Sequence, residues 1–163
     1  MKTRTAFALM TCLALIVTGS VGADDDKKKE EAEKVFKSLK CPVSGKPLKK
    51  DAVADYMKAK VYFCCPNCPK AFAKNMKKFA TKANHQLVAT KQFVQKACPM
   101  TGGKTKDQHH TKVAGVGVKF CCPKCKGATE KMKGDEQLAK VFGEQGFKKG
   151  FEIAKKKEKK KAA

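Results

Sequence analysis

The chain has 163 residues, with 37 lysines and arginines against 15 aspartates and glutamates, a net charge of +22. It has no tryptophan and only two tyrosines, which argues against a large apolar core. No paired carboxylates, serine–histidine arrangement or phosphate-binding loop stands out, so nothing points to a hydrolase or a kinase and the chain reads as non-enzymatic.

The N-terminus has the form of a secretory signal. Lys2 and Arg4 make a short basic region, and Ala6 to Val17 make an apolar run too short to span a bilayer comfortably. Val21-Gly22-Ala23 supplies small residues before a cut, and Asp24 opens a charged segment. Cleavage after Ala23 would discard Cys12, leave 140 residues with a charge of +20, and place the protein in the periplasm or outside the cell.

Asp24 to Lys40 is predicted to be helical. Ala32, Val35, Phe36 and Leu39 share a face, three aspartates suit the N-terminus, and Pro42 ends it. Within Asp51 to Phe63, the stretch Lys60-Val61-Tyr62-Phe63 reads as the second arm of a hairpin. Phe72, Met76 and Phe79 follow at the spacing of one helix face and are expected in the core. Leu87 to Ala89 and Phe93-Val94 read as short strands. Val113, Val116 and Val118, interleaved with Gly115 and Gly117, predict a thin hairpin. The following helix is expected to break at Gly134 and resume over Asp135 to Phe142. Gly143, Gly146 and Gly150 punctuate the end, and residues 155–163 form a lysine-rich tail predicted to be disordered.

The cysteines are duplicated. Cys41-Pro-Val-Ser44-Gly is followed by Phe63-Cys64-Cys65-Pro-Asn-Cys68. Cys98-Pro-Met-Thr101-Gly is followed by Phe120-Cys121-Cys122-Pro-Lys-Cys125. All four cysteines of the first unit recur 57 residues later. The predicted organisation is therefore an N-terminal helix over 24–40, a first module over 41–90, a second over 91–154, and the tail.

A tight turn with a cysteine at each end offers two sulfurs to one ion. Cys65-Pro-Asn-Cys68 and Cys122-Pro-Lys-Cys125 have that form, with proline fixing the backbone that enters the turn. Cys41, Cys64 and Cys68 form one three-sulfur set; Cys98, Cys121 and Cys125 form the other. Cys65 and Cys122 are the candidate fourth ligands. Four sulfurs would close a site around Zn2+, whereas three would suit a softer ion such as Cu+. Ser44 and Thr101 stand where a second thiol of the first turn would be, and a hydroxyl is a poor substitute for a thiolate. In an oxidising compartment the same cysteines could instead form a disulfide framework. C-x-x-C is also the spacing of redox dithiols, though nothing here resembles their usual βαβ setting.

On these motifs, Cys-Pro-x-x-Gly and an aromatic before C-x3-C at a gap of 22 residues, each repeat resembles the TRASH-type heavy-metal-binding module, which is closely similar to YHS modules. The resemblance covers about half of the chain beyond the signal. It implies a small α+β fold of two tandem treble-clef or zinc-ribbon-like units, each a β-hairpin plus a helix around one ion. It also implies a role in trafficking, sensing or resisting heavy metals. Ser44 and Thr101 depart from relatives that carry a further cysteine there.

His109 and His110 lie between Cys98 and Cys121 and could complete the second site, but the first repeat has Ala52 and Val53 in their places. They read as loop histidines, and His85 as a surface residue of the linker. The lysine excess reads as a solvated coat suited to an anionic partner protein, membrane surface or wall polymer. The export signal and the lack of an aromatic platform argue against nucleic acid.

Overall fold

A hairpin followed by a short helix occurs twice, at the same 57-residue offset as the cysteines. The computed structural model describes residues 33–155. Residues 33–38 belong to helix α1, the described part of the predicted N-terminal helix. The signal segment, residues 24–32 and the tail beyond Lys155 lie outside the described residues. Strands β1 (Lys49–Tyr56) and β2 (Ala59–Phe63) pair antiparallel, and so do β4 (Lys106–Val113) and β5 (Val116–Phe120). Both hairpins carry the same irregularity, between Lys49 and Val53 and between Lys106 and His110. The alternation of a half-buried strand is plain in β2: Ala59, Val61 and Phe63 are buried while Lys60 is exposed. Val118 and Phe120 repeat it in β5.

Helices α2 (Asn67–Lys74) and α4 (Pro123–Lys131) follow the hairpins. Proline suits each start, because the first helical N–H groups have no partner within the helix. Each buries two positions four residues apart, Cys68 with Phe72 and Cys125 with Thr129. Phe72 packs edge-on to Tyr56 at 5.3 Å and against Phe63 at 5.5 Å. Thr129 fills the equivalent place in the second repeat, and its hydroxyl donates to the Cys125 carbonyl at 3.0 Å.

The remaining elements tie the repeats together. Helix α3 (Met76–Ala89) packs against β2, β3, β5 and helices α5 (Gly134–Phe142) and α6 (Glu144–Gly150). Strand β3 (Phe93–Gln95) pairs antiparallel with β6 (Phe151–Ile153). Phe93, Phe142, Phe147 and Phe151 form a phenylalanine cluster with ring centroids 4.9–5.5 Å apart. The architecture is a small α+β fold of six helices and three two-stranded antiparallel sheets among the described residues. None of the described helices is long and apolar enough to cross a membrane.

Several expectations are corrected. Leu87 to Ala89 is the last turn of α3, where Leu87 and Ala83 sit one turn apart and are fully buried. Met76 is not in the core. Asn75, at φ −138° and ψ 49°, breaks the chain between α2 and α3, so Phe72 and Met76 do not share a helix and Met76 is 49% exposed. His85 is not a surface linker residue: it lies in α3, donates to the Ala114 carbonyl at 3.0 Å and packs edge-on to Phe142 at 5.1 Å. His109 and His110 are on strand β4 rather than in a loop. The glycine-punctuated end, for which no element was predicted, forms α6 and β6, and its phenylalanines join the cluster.

Candidate metal centres

Three elements meet at each cysteine cluster: a tight turn, the end of a strand and the first turn of a helix. Cys41 opens the first turn, with its N–H donating to the Lys46 carbonyl at 2.8 Å and its carbonyl accepting from Gly45 at 2.9 Å. Cys98 repeats both bonds with Gly103 and Gly102, at 2.9 and 2.7 Å. Gly45 and Gly102 adopt φ of +71° and +80°, the left-handed conformation that a side chain disfavours. Cys64 and Cys121 directly follow β2 and β5. Buried Phe63 and Phe120 anchor the strand ends immediately before them. Cys68 and Cys125 lie on the buried faces of α2 and α4.

This convergence brings the sulfurs of Cys41, Cys64 and Cys68 within 4.8 Å of one another, and likewise those of Cys98, Cys121 and Cys125. The Cys64–Cys68 and Cys121–Cys125 separations are 3.6 and 3.7 Å. Two thiolates on one tetrahedral ion, with metal–sulfur bonds near 2.3 Å, stand roughly 3.8 Å apart. The pairs therefore have the spacing that a shared soft ion requires. Cys65 and Cys122 are outside these two triads, although the Cys65 sulfur is 3.4 Å from that of Cys68. All eight described cysteines are free thiols.

The hydroxyls of the first turns face the sulfurs. Ser44 Oγ is 3.0 Å from Cys64 Sγ, and Thr101 Oγ1 is 3.3 Å from Cys121 Sγ. Each hydroxyl oxygen also accepts from a backbone N–H two residues on, that of Lys46 at 3.3 Å or Gly103 at 3.2 Å. Toward a thiol the hydroxyl can donate or accept, and toward a thiolate it can only donate.

These contacts divide the thiols into two kinds. Burial opposes ionisation of Cys41, but the Ser44 hydroxyl and the backbone N–H groups of Ser44, Cys64 and Val43 outweigh it and lower its pKa to about 7. Cys98 also falls to about 7: burial is outweighed by N–H groups of Cys121 and Thr101, the Thr101 hydroxyl and the Met100 N–H. Cys68 is pushed up to about 12 by burial and by hydrogen bonds to the Cys65, Cys64 and Cys41 sulfurs, in which its thiol keeps the proton it donates. Cys125 is raised in the same way. Cys65 is lowered chiefly by its hydrogen bond with Cys68, and Cys122 chiefly by backbone N–H of Cys125. Each cluster therefore pairs a readily ionised thiol on the first turn with one on the helix that keeps its proton until something displaces it. A metal ion does this, since thiolate is the ligating form.

Neither His109 nor His110 belongs to a triad. His110 Nδ1 is 2.8 Å from the Asp107 carbonyl, and His109 Nε2 is 3.3 Å from the Gln108 amide. His85 serves the fold. Its burial lowers its pKa, against the opposing effect of the Ala114 carbonyl.

Three glutamines that the sequence did not single out hold the cysteine-bearing strands. Gln86 accepts from the Tyr62 N–H at 2.6 Å and donates to the Tyr62 carbonyl at 3.0 Å. Gln92 makes the same two bonds to Lys60, both at 2.7 Å. Gln95 makes them to Lys119, at 2.9 and 2.6 Å. Each amide pairs with a strand edge as a neighbouring strand would, so one segment, Gln86 to Gln95, grips both hairpins just before Cys64 and Cys121. A glutamine carries no periodic signal, which is why its role was not legible. The hydroxyls did leave one, because both copies place a hydroxyl three residues after the first cysteine.

No protein-family model matches the chain, and comparison with curated proteins and with solved structures gave no match.

Proposed function

We propose that this is an exported, non-enzymatic protein that binds one soft metal ion, Zn2+ or Cu+, in each of two TRASH-like modules. Cys41, Cys64 and Cys68 would hold one ion and Cys98, Cys121 and Cys125 the other. The observation that carries this reading is the pair of cysteine triads, each with its sulfurs within 4.8 Å. Their setting supports it: a glycine turn, a strand end and a helix start converge on each triad, as expected of a treble-clef or zinc-ribbon-like unit. The role in view is trafficking, sensing or resistance, in the periplasm or outside the cell after removal of residues 1–23. The test is metal analysis with thiol counting on anaerobically purified protein. Two equivalents of metal per chain are expected. Absence of both metal and titratable thiols would replace the reading with a disulfide framework.

A second reading is favoured by the lysine excess. In it the ions only stabilise the hairpins, and the basic surface docks an acidic partner protein, membrane or wall polymer. Stripping the metal separates the two. A structural site should unfold when emptied, whereas a carrier should release its ion to a competing ligand and stay folded.

A further inference from the structure

Cys65 and Cys122 have no place in the triads, yet both copies keep them in the same position. The Cys65 sulfur is 3.4 Å from that of Cys68, a triad member. Cys122 stands at the equivalent place in the second repeat, three residues before Cys125. Depth separates the sulfurs. Cys41, Cys68, Cys98 and Cys125 are buried, whereas Cys64, Cys65, Cys121 and Cys122 are half-buried. Exchanging one sulfur of each triad for that of nearby Cys65 or Cys122 would give a second three-sulfur set that shares two members with the first. The inner set contains Cys41 or Cys98, and the outer set replaces it with Cys65 or Cys122.

We propose that Cys65 and Cys122 are exit ligands, which draw the ion from the inner triad to a solvent-facing one and present it to an acceptor. This rests on the metal-binding reading above. In the exchange, the bond from the metal to Cys41 Sγ breaks as a bond to Cys65 Sγ forms. The proton lost by the Cys65 thiol passes to the Cys41 thiolate, so net charge and the oxidation state of the metal are unchanged. Cys64 and Cys68 stay bound throughout, and no intermediate has fewer than two sulfurs on the ion. A chelating acceptor then replaces the outer sulfurs one at a time. The rigid turn around Cys41 suits this division of labour. Its hydrogen bonds fix the inner sulfur in place, so the ion moves and the turn does not.

The test compares the zinc-loaded mature chain with its Cys65→Ser/Cys122→Ser variant. Zinc release to a chromophoric pyridylazo chelator is followed by stopped flow. The variant should still bind two equivalents and release them about tenfold or more slowly, as expected for a barrier raised by the loss of one stepping contact. The single variant Cys65→Ser should release in two phases, one at the wild-type rate and one slow, with the second repeat as internal control. Equal rates in wild type and variants would overturn the proposal. Loss of one zinc equivalent per substitution would also overturn it, by making Cys65 and Cys122 permanent fourth ligands. A wild-type chain that binds no zinc at all would instead remove the metal-binding reading itself, and this proposal with it.

Discussion

Ser44 and Thr101 occupy the place of a further thiol in each repeat, and the structure turns them from missing ligands into hydrogen-bond partners. Their effects should differ in size. Ser44 is the largest influence lowering Cys41, whereas backbone N–H groups precede the Thr101 hydroxyl at Cys98. Ser44→Ala should therefore raise the metal-free Cys41 pKa more than Thr101→Ala raises that of Cys98, as read by thiolate ultraviolet absorbance against pH. The sign of the stability effect follows. Cys41 and Cys98 have folded pKa values of about 7 against an ordinary 9.0, so their contribution is complete above 9.0 and lost as pH falls through 7. Cys68, raised to about 12, works oppositely: its contribution is complete below 9.0 and lost as pH rises towards 12. Through these thiols, the metal-free chain should be most stable near pH 9.0, and chemical denaturation across pH would reveal a monotonic trend if the assignment were wrong. Gly45→Ala tests the turn. At φ +71° it should cost roughly 1–2 kcal/mol in the same denaturation experiment.

At the scale of elements, the repeat was largely legible. The second hairpin was readable from its valines and glycines, and its turn uses Ala114 and Gly115, both at positive φ. The first hairpin turns on Met57 and Lys58, also at positive φ, a pair that gives no turn signal in sequence. Lys58→Gly should relieve that strain and stabilise the chain by up to about 1 kcal/mol, measured as a higher unfolding midpoint. The glutamine grips were not legible, since they depend on where α3 meets strands distant in sequence. Gln86→Leu would leave the Tyr62 N–H and carbonyl without their amide partner and should cost about 1–3 kcal/mol. An unchanged unfolding midpoint would show that water replaces the grip without loss. Leu87 to Ala89 was misread because only Val88 favours a strand, whereas Leu87 and Ala89 are good helix formers and Leu87 continues the buried face that Ala83 begins. The cysteine triads needed no such tertiary knowledge, as their members were readable from spacing alone. What spacing left open was whether Cys65 and Cys122 join them, which depends on side-chain direction at the start of each helix.

Across the whole molecule, the two hairpin-helix units share α3, the β3–β6 pair and a phenylalanine cluster that joins Phe93, between the repeats, to the C-terminal elements. The expected export remains to be read chemically: N-terminal sequencing of protein recovered from the periplasm or medium should begin at Asp24. An N-terminus at Met1 would contradict it. The central claim is that the duplicated cysteines hold metal. Elemental analysis of the mature chain, purified without oxygen, tests it most directly. The account predicts two equivalents of zinc or copper per chain, with eight thiols titratable once the metal is removed. Protein with neither metal nor titratable thiols would contradict it.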